Sequence, residues 1–100
     1  MTRRLVYTNA ALDDLEELFW FIAADNPRRA RSYIGEIEAF CLKLCETPEI
    51  GVSREDLRQG LRIFPLWRRL VIAYELPEGR VDILRIFTSG LDYEAILGGE

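Results

Sequence analysis

The sequence predicts an α+β domain of order β-α-α-β-β-β, an α-helical hairpin packed on a small, mostly antiparallel sheet. Three observations carry that prediction. Apolar residues recur at three- and four-residue spacing from Leu12 to Ala23 and again from Ala30 to Leu44. An asparagine and a proline, Asn26 and Pro27, separate the two runs. Short apolar, β-rich runs divided by turn residues then fill roughly 61–87. A chain of 100 residues is one domain, 1–100, with the hairpin at about 9–47 and the sheet at about 61–87 plus a strand at 4–8.

In chain order, "RLVYT" (Arg4–Thr8) is a short β-prone run that joins the sheet. Thr8 or Asn9 can cap the first helix, with Asp13 and Asp14 near its positive end. Leu12, Leu15, Leu18, Phe19, Ile22 and Ala23 give that helix one apolar face, and it should stop near Asp25. Asn26 suits an N-cap and Pro27 the first helical position of the second helix. Its seam is Ala30, Tyr33, Ile34, Ile37, Phe40, Cys41 and Leu44, and it should end around Thr47–Pro48, with a break at Gly51. So short a link makes the two helices antiparallel neighbours.

"EIGVSREDLRQG" reads as a polar connection. In "LRIFPL", Pro65 cannot donate to a ladder and marks an edge or a strand end. "RRLVIAYEL" is the most continuous apolar run, as a central strand requires. "PEGR" supplies a tight reversal, "VDILRIF" returns, and "TSGLDYEAILGGE" can form a helical turn through Leu91, Tyr93, Ile96 and Leu97.

Composition narrows the function classes. The 13 basic and 17 acidic residues leave a net charge of −4, which counts against sustained nucleic-acid binding. No apolar run is long enough to span a bilayer and no signal-like h-region opens the chain, so a cytoplasmic location and no membrane partner are expected. There is no histidine, so the commonest general base is missing. Ser32, Ser53 and Ser89 have no nucleophile context, and Gly98-Gly99 is no phosphate cradle. Cys41 and Cys45 share a helical face at a spacing that strains a disulfide and offers no zinc set; buried reduced thiols are expected. Asp13, Asp14, Glu16 and Glu17 read as a solvated outer helix face. No catalytic, cofactor-binding or metal-binding residue is assigned.

What remains is binding chemistry. Arg58, Arg62, Arg68, Arg69, Arg80 and Arg85 crowd the sheet region. They are either surface ion pairs with Glu75, Glu78 and Asp82 or a cluster presented to a partner. Arg62 lies between Leu61 and Ile63 and points away from their face, whereas strand alternation puts Arg85 on one face with Val81, Ile83 and Phe87. Trp20 and Phe21 fall on opposite sides of the first helix's apolar face, and Leu42 falls behind the seam of the second. They are either the flanks of a wide apolar stripe or a patch that another chain covers. Trp67, at a turn between strands, has little core to reach and is an exposed-anchor candidate.

The pieces "NPRRARSY", "LCETPEIGVSREDLRQGLRIF", "VIAY" and "ILRIF" with Asp92 beyond it, in this order and spacing, resemble the ParE branch of the RelE/ParE toxin superfamily over nearly the whole chain. The resemblance implies the toxin of a bacterial type II toxin–antitoxin pair. ParE-like members trap the cleaved-DNA complex of DNA gyrase by protein–protein contact, whereas RelE-like members cut messenger RNA on the ribosome. It also implies a ParD-like antitoxin whose extended segment wraps the toxin and through which operator DNA is met only indirectly. The sequence departs from the family at Thr88 and Ser89, where His-Gly is common, and at Leu91, where a basic residue is common. Without cations beside a scissile phosphate, RelE-type cleavage loses its transition-state stabilisation. A non-enzymatic inhibitor is therefore expected. The alternatives are a ribosome-dependent RNase and a non-toxic relative that acts only through antitoxin binding and operon regulation. Trp20, Phe21, Arg62 and Arg85 are the candidate antitoxin contacts, in a groove beside the hairpin and the sheet edge. Trp67, Arg68, Leu91 and Tyr93 are the candidate target contacts.

Overall fold

In the computed structural model, which describes residues 2–88 and 93–98, both helices of the hairpin start where side-chain chemistry starts them. Strand β1 (Arg4–Tyr7) is followed by Thr8, whose Oγ1 accepts the Ala11 N–H at 3.1 Å and opens α1 (Asn9–Ala23). Asn26 accepts the Arg29 N–H at 3.0 Å, Pro27 takes the first turn, and α2 runs Pro27–Leu44. Its end comes before the expected Thr47, as the last turn tightens, with Cys45 N donating to the Leu42 carbonyl and Glu46 N to the Lys43 carbonyl. A 3-10 turn (Pro48–Ile50) leads to β2 (Val52–Ser53), then β3 (Arg62–Leu66), β4 (Leu70–Glu75), β5 (Arg80–Thr88) and a short α3 (Tyr93–Leu97).

The sheet order is β1-β5-β4-β3-β2, antiparallel except for β1, which runs parallel to β5. Strand β2, within the stretch expected to be a plain connection, pairs only with Arg62 and Ile63 of β3. Pro65 lies past that pairing, on the stretch of β3 that β2 leaves uncovered, as a residue without an N–H should.

Both faces of the sheet are covered. On one, Ala11, Leu15, Ile37, Cys41 and Leu44 of the hairpin pack on Leu70, Ile72, Tyr74, Val81, Ile83 and Ile86. On the other, Leu61, Ile63, Ala73, Leu84 and Phe87 meet Leu97 of α3. Double burial explains why β4 reads as a continuous apolar run rather than an alternating one.

Strand β5 departs from simple alternation. Ala73 pairs with Arg85 and Tyr74 with Ile83, so Leu84 is an extra residue, a β-bulge. The bulge corrects the face expected for Arg85. Val81 and Ile83 face the hairpin and Phe87 faces α3, with the Arg85 guanidinium 4.8 Å from the Phe87 ring centroid.

Strand β1 covers β5 only as far as the Tyr7–Ile83 pair. Beyond it, Thr8 N donates to the Ile83 carbonyl at 3.0 Å and Thr8 Oγ1 to the Leu84 carbonyl at 2.8 Å. Asp14 takes the next position: its Oδ2 accepts the Ile86 N–H at 2.8 Å and Arg85 Nε at 2.8 Å, and its Oδ1 accepts Arg85 Nη2 at 3.0 Å. Asp14 is thus not part of a solvated acidic face, since its side chain is only 12% exposed. Of the ion pairs considered for the strand arginines, Arg80–Asp82 forms at 2.9 Å. Glu75 and Glu78 form none among the described residues.

Replacing Asp14 with Ala leaves a half-buried guanidinium and a strand N–H without their acceptor, and should lower stability by about 2–3 kcal/mol. Asp14→Asn, which keeps an oxygen for Ile86, should lose less. Chemical denaturation of the three proteins measures both differences.

Candidate functional site

A groove of about 710 Å³ opens between the hairpin and the turn that joins β3 to β4. Its floor is apolar, built from Leu18 and Ile22 of α1 with Leu70 of β4, and Phe21 stands exposed beside it. Residues 29, 33 and 36 lie on one face of α2 by helical spacing and form one wall. Arg29 Nη1 donates to Ser32 Oγ and to Glu36 Oε2, both at 3.0 Å, and its guanidinium sits 5.0 Å from the Tyr33 ring centroid. Trp67 and Arg69 form the opposite wall, and the Tyr33 and Trp67 rings meet across it with centroids 5.4 Å apart.

The turn is conformationally unusual. Arg69 N donates to the Leu66 carbonyl at 3.1 Å, and both central residues, Trp67 and Arg68, have positive φ, 54° and 58°. Three residues, 67–69, lie between the paired Leu66 and Leu70, and a turn with positive φ at both central positions normally carries Asn or Gly there. A residue with a Cβ loses roughly 1–2 kcal/mol in that region.

The candidate antitoxin contacts do not converge. Phe21 is 80% exposed on the groove, while Trp20, 63% exposed, lies in a separate depression with Asp13, Glu16 and Glu17. Arg62 donates to the carbonyls of Gly51 (2.7 Å) and Glu49 (3.3 Å), holding the loop that Tyr74 also ties down. The Tyr74 hydroxyl accepts Gly51 N at 2.9 Å and donates to the Pro48 carbonyl at 2.7 Å, so a Cβ at position 51 would collide with it. Arg85 is held by Asp14, whose hydrogen bonds raise its already high pKa.

Of the candidate target contacts, Trp67 and Arg68 share the turn, and Tyr93 lies on the opposite face of the sheet. There its ring is 6.2 Å from that of Phe87 and its hydroxyl accepts Arg54 Nη1 at 3.4 Å. Arg54 also pairs with Glu94 at 3.0 Å, fixing α3 to the loop before β3. Leu91 lies outside the described residues, as do Ser89 and Asp92. Arg29, Tyr33 and Glu36 were not singled out as a site by sequence, and Arg69 only as one of the arginines crowding the sheet region. Their helical spacing beside an exposed Phe21, with a glycine-free Trp-Arg turn, is the signal that could have found them.

Both cysteines are free and buried. Burial pushes the Cys41 thiol up to about 11 and raises Cys45 as well. Among the described residues no group of three or more Cys, Asp or Glu could hold a metal ion.

Comparison with known proteins places this geometry. The model of the family described as "ParE toxin of type II toxin-antitoxin system, parDE" matches residues 5–93, a span that includes the hairpin, the groove and the turn. The chain belongs to the ParE toxin family. It is 32% identical over 98 residues to Toxin ParE3 of Caulobacter vibrioides, covering 95% of both chains. A solved structure described as the chromosomal ParDE TA system from P. aeruginosa superposes with a TM-score of 0.73 at 21% identity, covering 87% of this chain and 96% of the other. The ParE fold is thus retained where most of the sequence has changed.

A thiol whose pKa is raised in the folded state stabilises the fold fully below the ordinary thiol value and loses that contribution as pH rises toward the folded value. This ParE chain should therefore lose about 2–3 kcal/mol of stability between pH 9 and 11, and less in Cys41→Ala. Urea titrations across that range measure the difference.

Proposed function

We propose that this ParE-family toxin acts by gripping a protein target, DNA gyrase, in the cytoplasm, and is silenced when a ParD-like antitoxin lays an extended or helical segment into the groove between hairpin and turn. The observation that carries this reading is the groove itself: Phe21 is 80% exposed above an apolar floor with arginines at both walls. Monomeric proteins seldom leave so large an aromatic uncovered beside such a surface without a partner for it. An amphipathic acidic segment complements it, with an apolar side chain on the floor and a carboxylate toward Arg69, since Arg29 is already paired with Glu36. The solved relative's description as a ParDE system supports a partner of this kind. Operator DNA is then met only through the antitoxin.

Contact rather than catalysis is supported by the state of the strand arginines. Cleavage of RNA needs cations free to meet a phosphate in the transition state. Arg62 is spent on loop carbonyls and Arg85 on Asp14.

Induced expression without antitoxin should arrest growth, and the purified protein should inhibit supercoiling by gyrase; normal growth at verified soluble expression would overturn the reading. Phe21→Ala should weaken antitoxin binding by at least about 2 kcal/mol, roughly 30-fold, by calorimetry or surface plasmon resonance.

A further inference from the structure

The β3–β4 turn holds a conformation that costs stability, at two residues whose side chains the fold leaves exposed. Four described residues have positive φ, and two of them, Gly60 and Gly79, are glycines. Where geometry alone is at stake, the chain places the residue without a Cβ. At the remaining two positions it keeps Trp67 and Arg68. Neither Arg68 nor Arg69 makes a side-chain hydrogen bond or ion pair among the described residues, and Trp67, whose ring meets that of Tyr33, stays 44% exposed. Strain held at exposed residues, one of them a half-exposed tryptophan and the other an unpaired arginine, is the pattern of a binding element fixed in advance.

The side chains indicate what is bound. Trp, Tyr and Arg are the residue types that dominate binding energy at protein interfaces, and here Trp67, Tyr33, Arg68 and Arg69 stand together. The turn is a local positive tip on a chain of net charge −4. A nucleic-acid ligand calls for a run of phosphate contacts that this acidic body does not offer. An acidic patch on a protein, with a side chain to pack on the indole, matches both the charge and the aromatic face.

We infer that the β3–β4 turn is the toxin's contact element for its protein target, with Trp67 as the anchor and Arg68 and Arg69 selecting an acidic surface. This rests on the contact-toxin reading and assigns it a place and a partner chemistry. Trp67 also lines the antitoxin groove, so an antitoxin seated there covers the anchor and excludes the target. The fixed turn lowers the ordering cost of binding, which is what the strain provides.

The test separates stability from activity. Trp67→Asn with Arg68→Gly installs the residues this turn geometry prefers. It should raise Tm by about 4–8 °C and abolish growth arrest at equal soluble expression. Arg68→Gly alone should also raise Tm and weaken arrest, while Arg68→Lys, which keeps the charge, should retain most of it. Arg68→Glu with Arg69→Glu should abolish arrest with Tm little changed. A double Asn-Gly variant that arrests growth like the parent overturns the inference and leaves the toxin reading intact. A Tm that fails to rise overturns the strain on which it is built. Duplex DNA shifted by the parent protein in a gel, and not by the Asn-Gly variant, would assign the turn to nucleic acid and overturn the acidic-protein partner. A parent chain that leaves growth unaffected overturns the toxin reading and this inference together.

Discussion

One carboxylate closes the gap that β1 leaves in the sheet. The parallel strand stops at Tyr7, yet β5 runs on to Thr88, and an uncovered strand edge in the body of a small domain is both a polar loss and a site for misassociation. Thr8 fills the next position with its backbone and its hydroxyl, and Asp14 fills the one after, accepting the Ile86 N–H while its second oxygen holds Arg85. Because both residues belong to the start of α1, the helix is fixed along the sheet edge in a single orientation. Its far end, with Leu18, Phe21 and Ile22, is thereby carried to the β3–β4 turn. The groove is a consequence of how that edge is finished.

The bulge at Leu84 works with this arrangement. It lets β5 give Val81, Ile83 and Ile86 to the hairpin core and Leu84 and Phe87 to the face under α3. Arg85 is left beside the edge, where Asp14 can reach it. A strictly alternating strand would have placed Phe87 and Ile83 on the same side, leaving one of the two layers short of apolar surface.

The helices, their caps and the two-layer plan were legible because they depend on neighbours in sequence: Thr8 and Asn26 sit where capping chemistry needs them, and the seam of α2 repeats every three or four residues. The long-range features were not. Asp14 looked like one of four acids on a helix, and only its distance from Ile86 reveals its role. A bulge leaves no mark in composition, so Arg85, which lies beside Phe87, was also grouped with Val81 and Ile83. The two-residue β2 is too short for any periodicity, and the place of β1 beside β5 depends on a crossover that local patterns do not encode. The binding surface was half visible. Phe21, Trp67, Arg68 and Arg69 stood out, but the residues that join them, Arg29 and Tyr33, had ordinary local explanations.

Family membership gives the system class, and the groove is the surface on which we propose that it acts. Hairpin and turn meet at one end of the molecule, so antitoxin and target would share ground there, while the acidic depression around Trp20 and the α3 face lie elsewhere. Hydrogen–deuterium exchange of the chain, free and bound to its co-purified antitoxin, tests this placement most directly. Added protection should fall on residues 18–22, 29–36 and 66–70. Protection confined to β1 or α3, with the groove exchanging as in the free chain, would contradict it.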